Sequence, residues 1–252
     1  MAIVPVYSYS VAASITLKKL IALRKTSLVD YPGLISAGIF FPGCNLRCPW
    51  CHNRELVLGN ADYSQEDGIN ANADYITLEA ALGHLKKRRK VLGGTVLSGG
   101  EPTLFPGLGE LIEQIKTLGL KVKLDTNGLL PDALETLFNA EKTRPDYIAM
   151  DLKTSPERYS ELVPENVSGT ADPGEAIKHS SALIRASGIS HEFRSLALPF
   201  GSTALSPRPN NKQKPYFDEQ DKAALAALAG DSPWHIRPFV PGNCLDPAWN
   251  NI

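Results

Sequence analysis

Short apolar runs that alternate with helical patterns are the feature that most limits how this chain can fold. Such alternation predicts βα units, because strands separated by helices pair in parallel and are covered by those helices. The predicted strands are 35–41, 95–97, 121–124, 147–150, 192–198 and 234–239. Six units, without signs of a seventh or eighth, predict an α/β fold. We expect a partial (βα)6 barrel that resembles a TIM barrel but stays open, because a closed TIM barrel has eight strands.

The length and charge of the chain narrow its class. With 252 residues and 27.3 kDa, the chain can bury one large core, so we expect a single core domain over 25–252 after an N-terminal leader and lead-in segment over 1–24. A net charge of −1 gives no basic face for nucleic acid. Because no long apolar run and no secretory signal is visible, we expect a cytoplasmic protein without a membrane partner, whose thiols stay reduced.

Three cysteines lie close together in the sequence. Cys44, Cys48 and Cys51 have the spacing CxxxCxxC, and the fourth cysteine, Cys244, is too distant to suggest a disulfide framework. Zinc is the stronger alternative, since His52 would complete a set of three cysteines and one histidine, although adjacent side chains rarely converge on one ion. Iron–sulfur clusters prefer thiolate ligands and commonly have four. Three cysteines would leave one iron open to another ligand.

Unusual residues also follow the next three predicted strands. Residues 99–102 are Gly-Gly-Glu-Pro, residues 125–128 are Asp-Thr-Asn-Gly, and residues 151–153 are Asp-Leu-Lys. The first two motifs also suit ordinary turns, because Gly and Asn-Gly adopt positive φ angles readily. The charges of Asp151 and Lys153 require partners if they are buried. All these motifs lie at the carboxyl ends of strands, where barrel enzymes assemble their active sites, so we expect one site there.

In combination, the motifs resemble the radical S-adenosylmethionine (SAM) superfamily and, more narrowly, the glycyl-radical enzyme activating family. The resemblance extends from residues 25–33 through residues 151–153, about half of the chain, with a further match at 241–246. It is nearest to the activating proteins of anaerobic ribonucleoside-triphosphate reductase, and those of pyruvate formate-lyase are near relatives. The open barrel would then be of the radical SAM type.

The resemblance implies a role for each matching position. The three cysteines would hold a [4Fe-4S] cluster, and SAM would bind its fourth iron through amino and carboxylate groups. The glycine pair would let the backbone approach the methionine end of SAM, and Glu101 would accept a hydrogen bond from the ammonium group. The implied cofactor-binding residues are Trp50, His52, Gly99, Gly100, Glu101, Asp125, Asn127, Asp151 and Lys153.

Two further sites are implied by the same resemblance. A monovalent cation would bind to Asp125, Thr126, Asp151 and the carbonyl oxygen of Met150. Asp30, which begins an Asp-Tyr-Pro-Gly segment, would lie near the incoming glycyl peptide of a partner protein.

The implied activity is that of an oxidoreductase working under anaerobic conditions. One electron from a flavodoxin or ferredoxin would split SAM into methionine and a 5′-deoxyadenosyl radical, and this radical would take a hydrogen atom from a glycine Cα of the partner. The expected partner is anaerobic ribonucleoside-triphosphate reductase. The alternatives are a pyruvate formate-lyase-type activating enzyme, another radical SAM enzyme that modifies a peptide or small molecule, and a non-catalytic iron–sulfur or zinc module.

Some residues have less specific interpretations. The basic run 86–90 is expected to be a solvated helix end, with docking of an acidic flavodoxin or ferredoxin as the alternative. His191 and Arg194 could reach SAM, although an ion pair explains Arg194 equally well. Cys244 could be a thiol at a second site or a packed residue.

Overall fold

The computed structural model describes residues 20–58, 75–164, 172–198 and 217–251. Its strands are β1 (Leu20–Ser27), β2 (Ser36–Phe41), β3 (Tyr75–Thr77), β4 (Gly94–Gly99), β5 (Lys121–Thr126), β6 (Tyr147–Asp151), β7 (Ser190–Ala197) and β8 (Trp234–Pro238). They form one sheet in the order β3-β1-β2-β4-β5-β6-β7-β8. Because β3 and β8 lie at the two edges of the sheet, the barrel is open.

Six of these strands correspond to the predicted βα units. β2, β4, β5, β6, β7 and β8 pair in parallel, each with the next, which confirms the prediction of an open α/β barrel. β1 is antiparallel to both β2 and β3 and extends the sheet at one edge. The sheet therefore begins within the predicted lead-in segment 1–24, whereas residues 1–14 lie outside the described residues.

The helices are α1 (Arg54–Leu58), α2 (Leu78–Arg88), α3 (Leu108–Thr117), α4 (Pro131–Phe138), α5 (Pro173–Ala186) and α6 (Glu219–Ala229). Local sequence sets where several of them begin. The Thr77 side chain accepts a hydrogen bond from the Ala80 N–H and caps α2, and Pro131 opens α4, where its missing N–H costs nothing. No helix in the described part of the chain is both long and apolar enough to cross a membrane.

The two faces of the middle strands differ in chemistry. Val122 and Leu124 of β5 are fully buried in the main hydrophobic core, together with Ile112 of α3. Lys123 and Asp125 alternate with them along β5 and therefore face the inside of the barrel. The inner face thus carries charges, and Asp125, near the carboxyl end of β5, lies at the candidate site.

Candidate active site

A cavity of about 290 Å³ lies at the carboxyl ends of β2, β4, β5 and β6. Residues from the cysteine motif and from the motifs after the next three predicted strands line it. The predicted residues in the lining are Cys44, Cys48, Trp50, Cys51, His52, Gly99, Gly100, Glu101, Asp125, Thr126, Asn127, Asp151 and Lys153. Leu46, Asn53, Val57, Ser98, Arg194 and Leu196 also line the cavity. The fold therefore brings together motifs that are separated by up to about a hundred residues in the sequence.

The loop over residues 43–53 carries three cysteines, all of which are free thiols. Arg47 Nη1 donates to the carbonyl oxygens of Cys44 and Leu46, at 2.7 and 2.9 Å. The N–H of Arg47 donates to the carbonyl oxygen of Leu162 at 2.8 Å. This half of the loop is consequently held in shape by hydrogen bonds that the protein itself supplies.

Burial governs the chemistry of two of the thiols. It raises the pKa of Cys44 to about 11 and that of Cys48 to about 12. Thiols in this environment become thiolate ligands when a metal takes the place of the proton. Cys44 Sγ accepts from the N–H of Leu46 at 3.4 Å and lies 3.8 Å from Asn127 Nδ2. Hydrogen bonds to cysteine sulfur are one means by which proteins set the potential of an iron–sulfur cluster.

Gly99 and Gly100 allow one stretch of backbone to pack closely on another. Gly99 has a φ of 118°, and a Cβ there would lie 2.4 Å from the nitrogen of Phe41. A Cβ on Gly100 would lie 1.8 Å from the carbonyl oxygen of Gly43. The family resemblance implied that these glycines let the backbone approach SAM. In the structure the missing side chain of Gly99 makes room for the end of β2 and that of Gly100 for the start of the cysteine loop, although both glycines also line the cavity.

Glu101 is fully buried and accepts four hydrogen bonds. Oε1 accepts from the N–H and hydroxyl of Thr103, at 3.1 and 2.6 Å, and from the hydroxyl of Thr126 at 2.8 Å. Oε2 accepts from the N–H of Asn127 at 2.7 Å. Burial raises the pKa of Glu101, and the four hydrogen bonds oppose that shift. The carboxylate joins the loops after β4 and β5, and Oε2 keeps a lone pair for one further donor.

Five charged side chains form a network beside the cysteines. Arg194 Nε donates to Asp151 Oδ1 at 2.8 Å, and Arg194 Nη1 lies 3.5 Å from Asp125 Oδ1. Lys153 Nζ donates to Asp151 Oδ2 at 2.8 Å, and Lys123 Nζ to Asp125 Oδ1 at 2.6 Å. Burial alone would raise the pKa of Asp151, but Arg194 and Lys153 hold it well below its usual range. Three cations and two carboxylates leave one positive charge, which suits an anionic ligand group.

The network changes the interpretation of the predicted monovalent-cation site. Arg194 already contacts both carboxylates of that site, Asp125 and Asp151. The hydroxyl of Thr126 donates to Glu101, and Met150 is fully buried outside the cavity lining. Because Arg194, Lys123 and Lys153 together carry more charge than the two carboxylates, the charge of Asp125 and Asp151 does not call for a bound cation.

The zinc alternative also loses support from the geometry. Among the described residues, no three or more His, Cys, Asp or Glu side chains are placed to hold one metal ion. His52 is exposed, and its ring stacks on that of Phe239 with a centroid distance of 5.8 Å. A four-iron cluster is larger than a single ion, so its cysteine ligands do not have to meet at one point. This arrangement disfavours a zinc site with His52 as the fourth ligand.

Asp30 lies apart from the cavity. It precedes β2, whereas the cysteine loop follows β2, and it pairs with Arg24 at 2.9 Å. The adjacent Tyr31 ring lies 6.0 Å from that of Tyr147, at the amino end of β6. Asp30 is therefore at the amino ends of the parallel strands, whereas the cysteines are at the carboxyl ends. The structure does not bring Asp30 to the cavity, and its place near the glycyl peptide stays a prediction.

The basic run and His191 are also distant from the chemistry. Residues 86–90 lie at the end of α2 and just after it, shortly before β4 begins. They are therefore near the amino ends of the parallel strands, away from the cysteines. This placement disfavours docking of an electron donor there. His191 Nε2 lies 2.9 Å from Ser232 Oγ, and His191 is absent from the cavity lining.

Sequence reasoning missed several residues that support the site. Asn127 Nδ2 donates to Asn45 Oδ1 at 2.7 Å, which ties the loop after β5 to the cysteine loop. The Lys153 N–H donates to the Tyr159 hydroxyl at 2.8 Å. Asn45 has a weak signal in the sequence, its position beside Cys44, but Tyr159 has none.

Comparison with known proteins identifies the family. The sequence model of the Radical SAM superfamily matches residues 39–199, which is more than half of the 252 residues. The chain belongs to the radical SAM superfamily. The matched residues contain all three clustered cysteines and the motifs that line the cavity, so the family predicted from those motifs is confirmed.

The relatives of this radical SAM protein include activating enzymes. It is 34% identical over 232 residues to a Methanocaldococcus jannaschii protein provisionally named a glycyl-radical enzyme activating enzyme, a match covering 90% of this chain and 82% of that protein. A 7-carboxy-7-deazaguanine synthase of Hyperthermus butylicus is 36% identical over 103 residues, 40% of this chain and 38% of the synthase. A pyruvate formate-lyase-activating enzyme of Staphylococcus epidermidis is 30% identical over 139 residues, 52% of this chain and 51% of that enzyme.

A solved structure shows the same fold. The crystal structure of Streptococcus suis SuiB bound to S-adenosylmethionine matches with a TM-score of 0.52 at 13% identity, covering 81% of this chain and 42% of that chain. At this low identity the likeness concerns the fold alone.

Membership of the radical SAM superfamily implies a [4Fe-4S] cluster and SAM, and the residues present fit both. Three thiols open onto one cavity, and Cys244 is not among the residues that line it. Three thiolates are one fewer than a cluster commonly has, so one iron would remain for SAM. The net positive charge of the ion network suits a carboxylate, and Oε2 of Glu101 can accept from an ammonium group.

Proposed function

We propose that this radical SAM protein is an activating enzyme that generates a glycyl radical on a partner enzyme, with anaerobic ribonucleoside-triphosphate reductase as the first candidate. The observation that carries the proposal is the single cavity in which three cysteine thiols, a buried glutamate and a lysine–aspartate pair meet. The 34% identity to the M. jannaschii relative over 90% of this chain supports the choice of a protein substrate.

The cluster and SAM would be held by separate sets of residues. Cys44, Cys48 and Cys51 would provide the thiolates for the cluster and leave one iron for SAM. When bound, the cluster and SAM supply a one-electron cleavage of the SAM carbon–sulfur bond and the transfer of a glycine hydrogen atom to the resulting carbon radical. The burial of Cys48 and Trp50 keeps water from one side of the cavity, as such reactive chemistry requires.

Charge complementarity would fix the orientation of SAM. Glu101 Oε2 would accept from the ammonium group, using the lone pair that Asn127 leaves open. Lys153, and with it Arg194, would face the carboxylate, since their network with Asp125 and Asp151 carries an excess positive charge. The neutral side chains Trp50 and Asn127 would border the rest of the cofactor.

The proposal also includes an electron donor and a second candidate partner. The described residues hold one group of cysteines close in sequence and one distant buried cysteine, so the electron would come from outside, from a flavodoxin or ferredoxin. Pyruvate formate-lyase is the second candidate partner, supported by the 30% identity to its activating enzyme over 139 residues.

A small-molecule substrate is the main alternative function. It is favoured by the 36% identity to a 7-carboxy-7-deazaguanine synthase, but that match covers 40% of this chain, against 90% for the activating-enzyme relative. Both functions use the same cysteines and SAM. They differ in the substrate that SAM cleavage requires, which is a partner protein in one case and a small molecule in the other.

The proposal is tested by measuring 5′-deoxyadenosine after anaerobic reconstitution with iron and sulfide, with SAM, dithionite and purified anaerobic ribonucleoside-triphosphate reductase. We expect the product to rise in proportion to the reductase added, because each partner glycine is attacked once. The Cys48→Ala variant should form no product, since it lacks a cluster ligand. Product that does not depend on the reductase would contradict the proposed substrate, and no product under any condition would contradict the radical SAM activity itself.

A further inference from the structure

Residues 239–251, to which the proposed function gives no role, fold back onto the cysteine loop. β8 ends at Pro238, at the carboxyl ends of the parallel strands, which is the end of the sheet where the cavity lies. From there the Leu245 N–H donates to the carbonyl oxygen of Cys51 at 2.8 Å, and the Asp246 N–H donates to that of Pro49 at 2.9 Å. We call residues 239–251 the strap.

Aromatic rings attach the strap to the residues on either side of Cys51. The Trp249 ring lies 5.4 Å from that of Trp50 and 5.6 Å from that of Phe239. Phe239 in turn stacks on His52. Trp50 is 3% exposed and Trp249 is 4% exposed, so the two indoles bury each other. Buried aromatic pairs of this kind fix the relative position of the segments that carry them.

The strap has its own internal order. Gly242 has a φ of 138° and Asn243 a φ of 51°, which turn the chain back toward the loop. The Cys244 N–H donates to Asn250 Oδ1 at 2.7 Å, and the Ala248 N–H donates to Asp246 Oδ1 at 3.0 Å. Cys244 is completely buried within this turn. The motif at 241–246 is thus a structural turn, and Cys244 packs inside it.

We propose that the strap positions the half of the cysteine loop that contains Cys48 and Cys51, and that Trp249 is its principal positioning residue. The other half of the loop is held by Arg47, through its contacts with Cys44 and Leu162. The strap supplies the corresponding hydrogen bonds to the Pro49–Cys51 half, through backbone groups that a cluster would not use. Cys244 is a packed thiol and not a cluster ligand. The inference rests on the cluster binding proposed above, but not on the identity of the partner.

The test compares cluster retention among tryptophan variants of the full chain. Each is reconstituted anaerobically, and the [4Fe-4S] absorbance is followed after an iron chelator is added. Loss of a residue that orients metal ligands typically weakens a metal site by 10–100-fold, so we expect Trp249→Ala to lose iron about tenfold faster than the wild type. Trp249→Phe keeps an aromatic contact and should restore most of the retention.

The matched control is Trp234→Ala. Trp234 begins β8, at the amino end of the strand and away from the cavity, and its Nε1 donates to Ser195 Oγ at 3.0 Å. We expect this variant to lower the melting temperature of the metal-free protein without speeding iron loss. Cys244→Ala should keep the full iron content, and a reduced content would overturn its assignment as a packed thiol.

Each remaining outcome decides the inference. Iron loss from Trp249→Ala at the wild-type rate, or equally fast loss from Trp234→Ala, would overturn it. If Trp249→Ala does not fold, Trp249→Leu replaces it, since leucine keeps apolar contact and removes the ring, and the same rates decide. A wild type that takes up no [4Fe-4S] cluster would overturn the proposed function and the strap together. A retained cluster in both the wild type and Trp249→Ala would overturn the strap alone.

Discussion

Arg194 lies between the carboxylates of Asp125 and Asp151 and connects three neighbouring strands. Its position follows from strand register, because Asp151 of β6 and Arg194 of β7 are paired residues on adjacent parallel strands. Removal of one partner from a fully buried ion pair costs about 3–5 kcal/mol. The side chains here are between 16% and 29% exposed, so solvent reduces that cost. At the scale of the residue, Arg194 supplies a fixed positive charge beside the cysteines.

The substitution Arg194→Gln should make SAM binding depend on monovalent cations. Without the guanidinium, Lys123 and Lys153 still balance Asp125 and Asp151, but the excess positive charge that faces SAM is gone, and sodium or potassium bound between the two carboxylates could restore it. We expect SAM affinity of the reconstituted variant to fall about tenfold, or about 1.4 kcal/mol, when sodium is replaced by a bulky organic cation at equal ionic strength. The wild type should show little change in calorimetric titration. Equal sodium dependence in both proteins would mean that the wild type binds a cation despite Arg194.

The loops after β2 and β4 are built as a pair. The N–H of Gly100 donates to the carbonyl oxygen of Phe41 at 2.8 Å, and the N–H of Glu101 donates to that of Gly43 at 2.9 Å. The two strands are in register up to Phe41 and Gly99. At the scale of the element, the glycine pair therefore sets how closely the cysteine loop can approach the loop that carries Glu101.

Gly100→Ala should separate these two loops. The added Cβ would lie 1.8 Å from the carbonyl oxygen of Gly43, so the backbone has to move. We expect the free energy of unfolding to fall by about 1–3 kcal/mol, as for other overpacked sites, and the iron content after reconstitution to fall with it. Denaturant unfolding and iron analysis provide the two measurements.

The control is Gly83→Ala in α2. A Cβ at Gly83 meets nothing within 4 Å, and alanine is favoured over glycine inside a helix by about 1 kcal/mol. This variant should be as stable as the wild type or more so, with unchanged iron content. A Gly100→Ala protein with the same stability and iron content as Gly83→Ala would show that the two loops do not need this close packing.

The parallel strands were predictable because each is an apolar run before a helical pattern. The same reasoning did not find β1 and β3. β3 has three residues, too few to show a period, and β1 mixes Arg24 and Lys25 into its sequence because it lies near the edge of the sheet. Strands that add to an edge leave a weaker pattern than strands buried between helices.

At the scale of the whole molecule, the location of the site was predictable and its internal contacts were not. The motifs at the strand ends meet at one cavity, because parallel strands place all their carboxyl ends at the same end of the barrel. The contacts of Arg194, and the packing of Trp249 on Trp50, depend on register and on chain reversal between residues far apart in sequence. Local patterns carry no information about such pairs.

The central claim, that this radical SAM protein places a radical on a partner glycine, is tested most directly by electron paramagnetic resonance. The reconstituted protein is incubated anaerobically with SAM, dithionite and anaerobic ribonucleoside-triphosphate reductase, and the same mixture is made with a reductase whose radical-bearing glycine is replaced by alanine. We predict a glycyl radical signal in the first mixture and none in the second. SAM cleavage without a glycyl signal, both with this reductase and with pyruvate formate-lyase, would contradict the account.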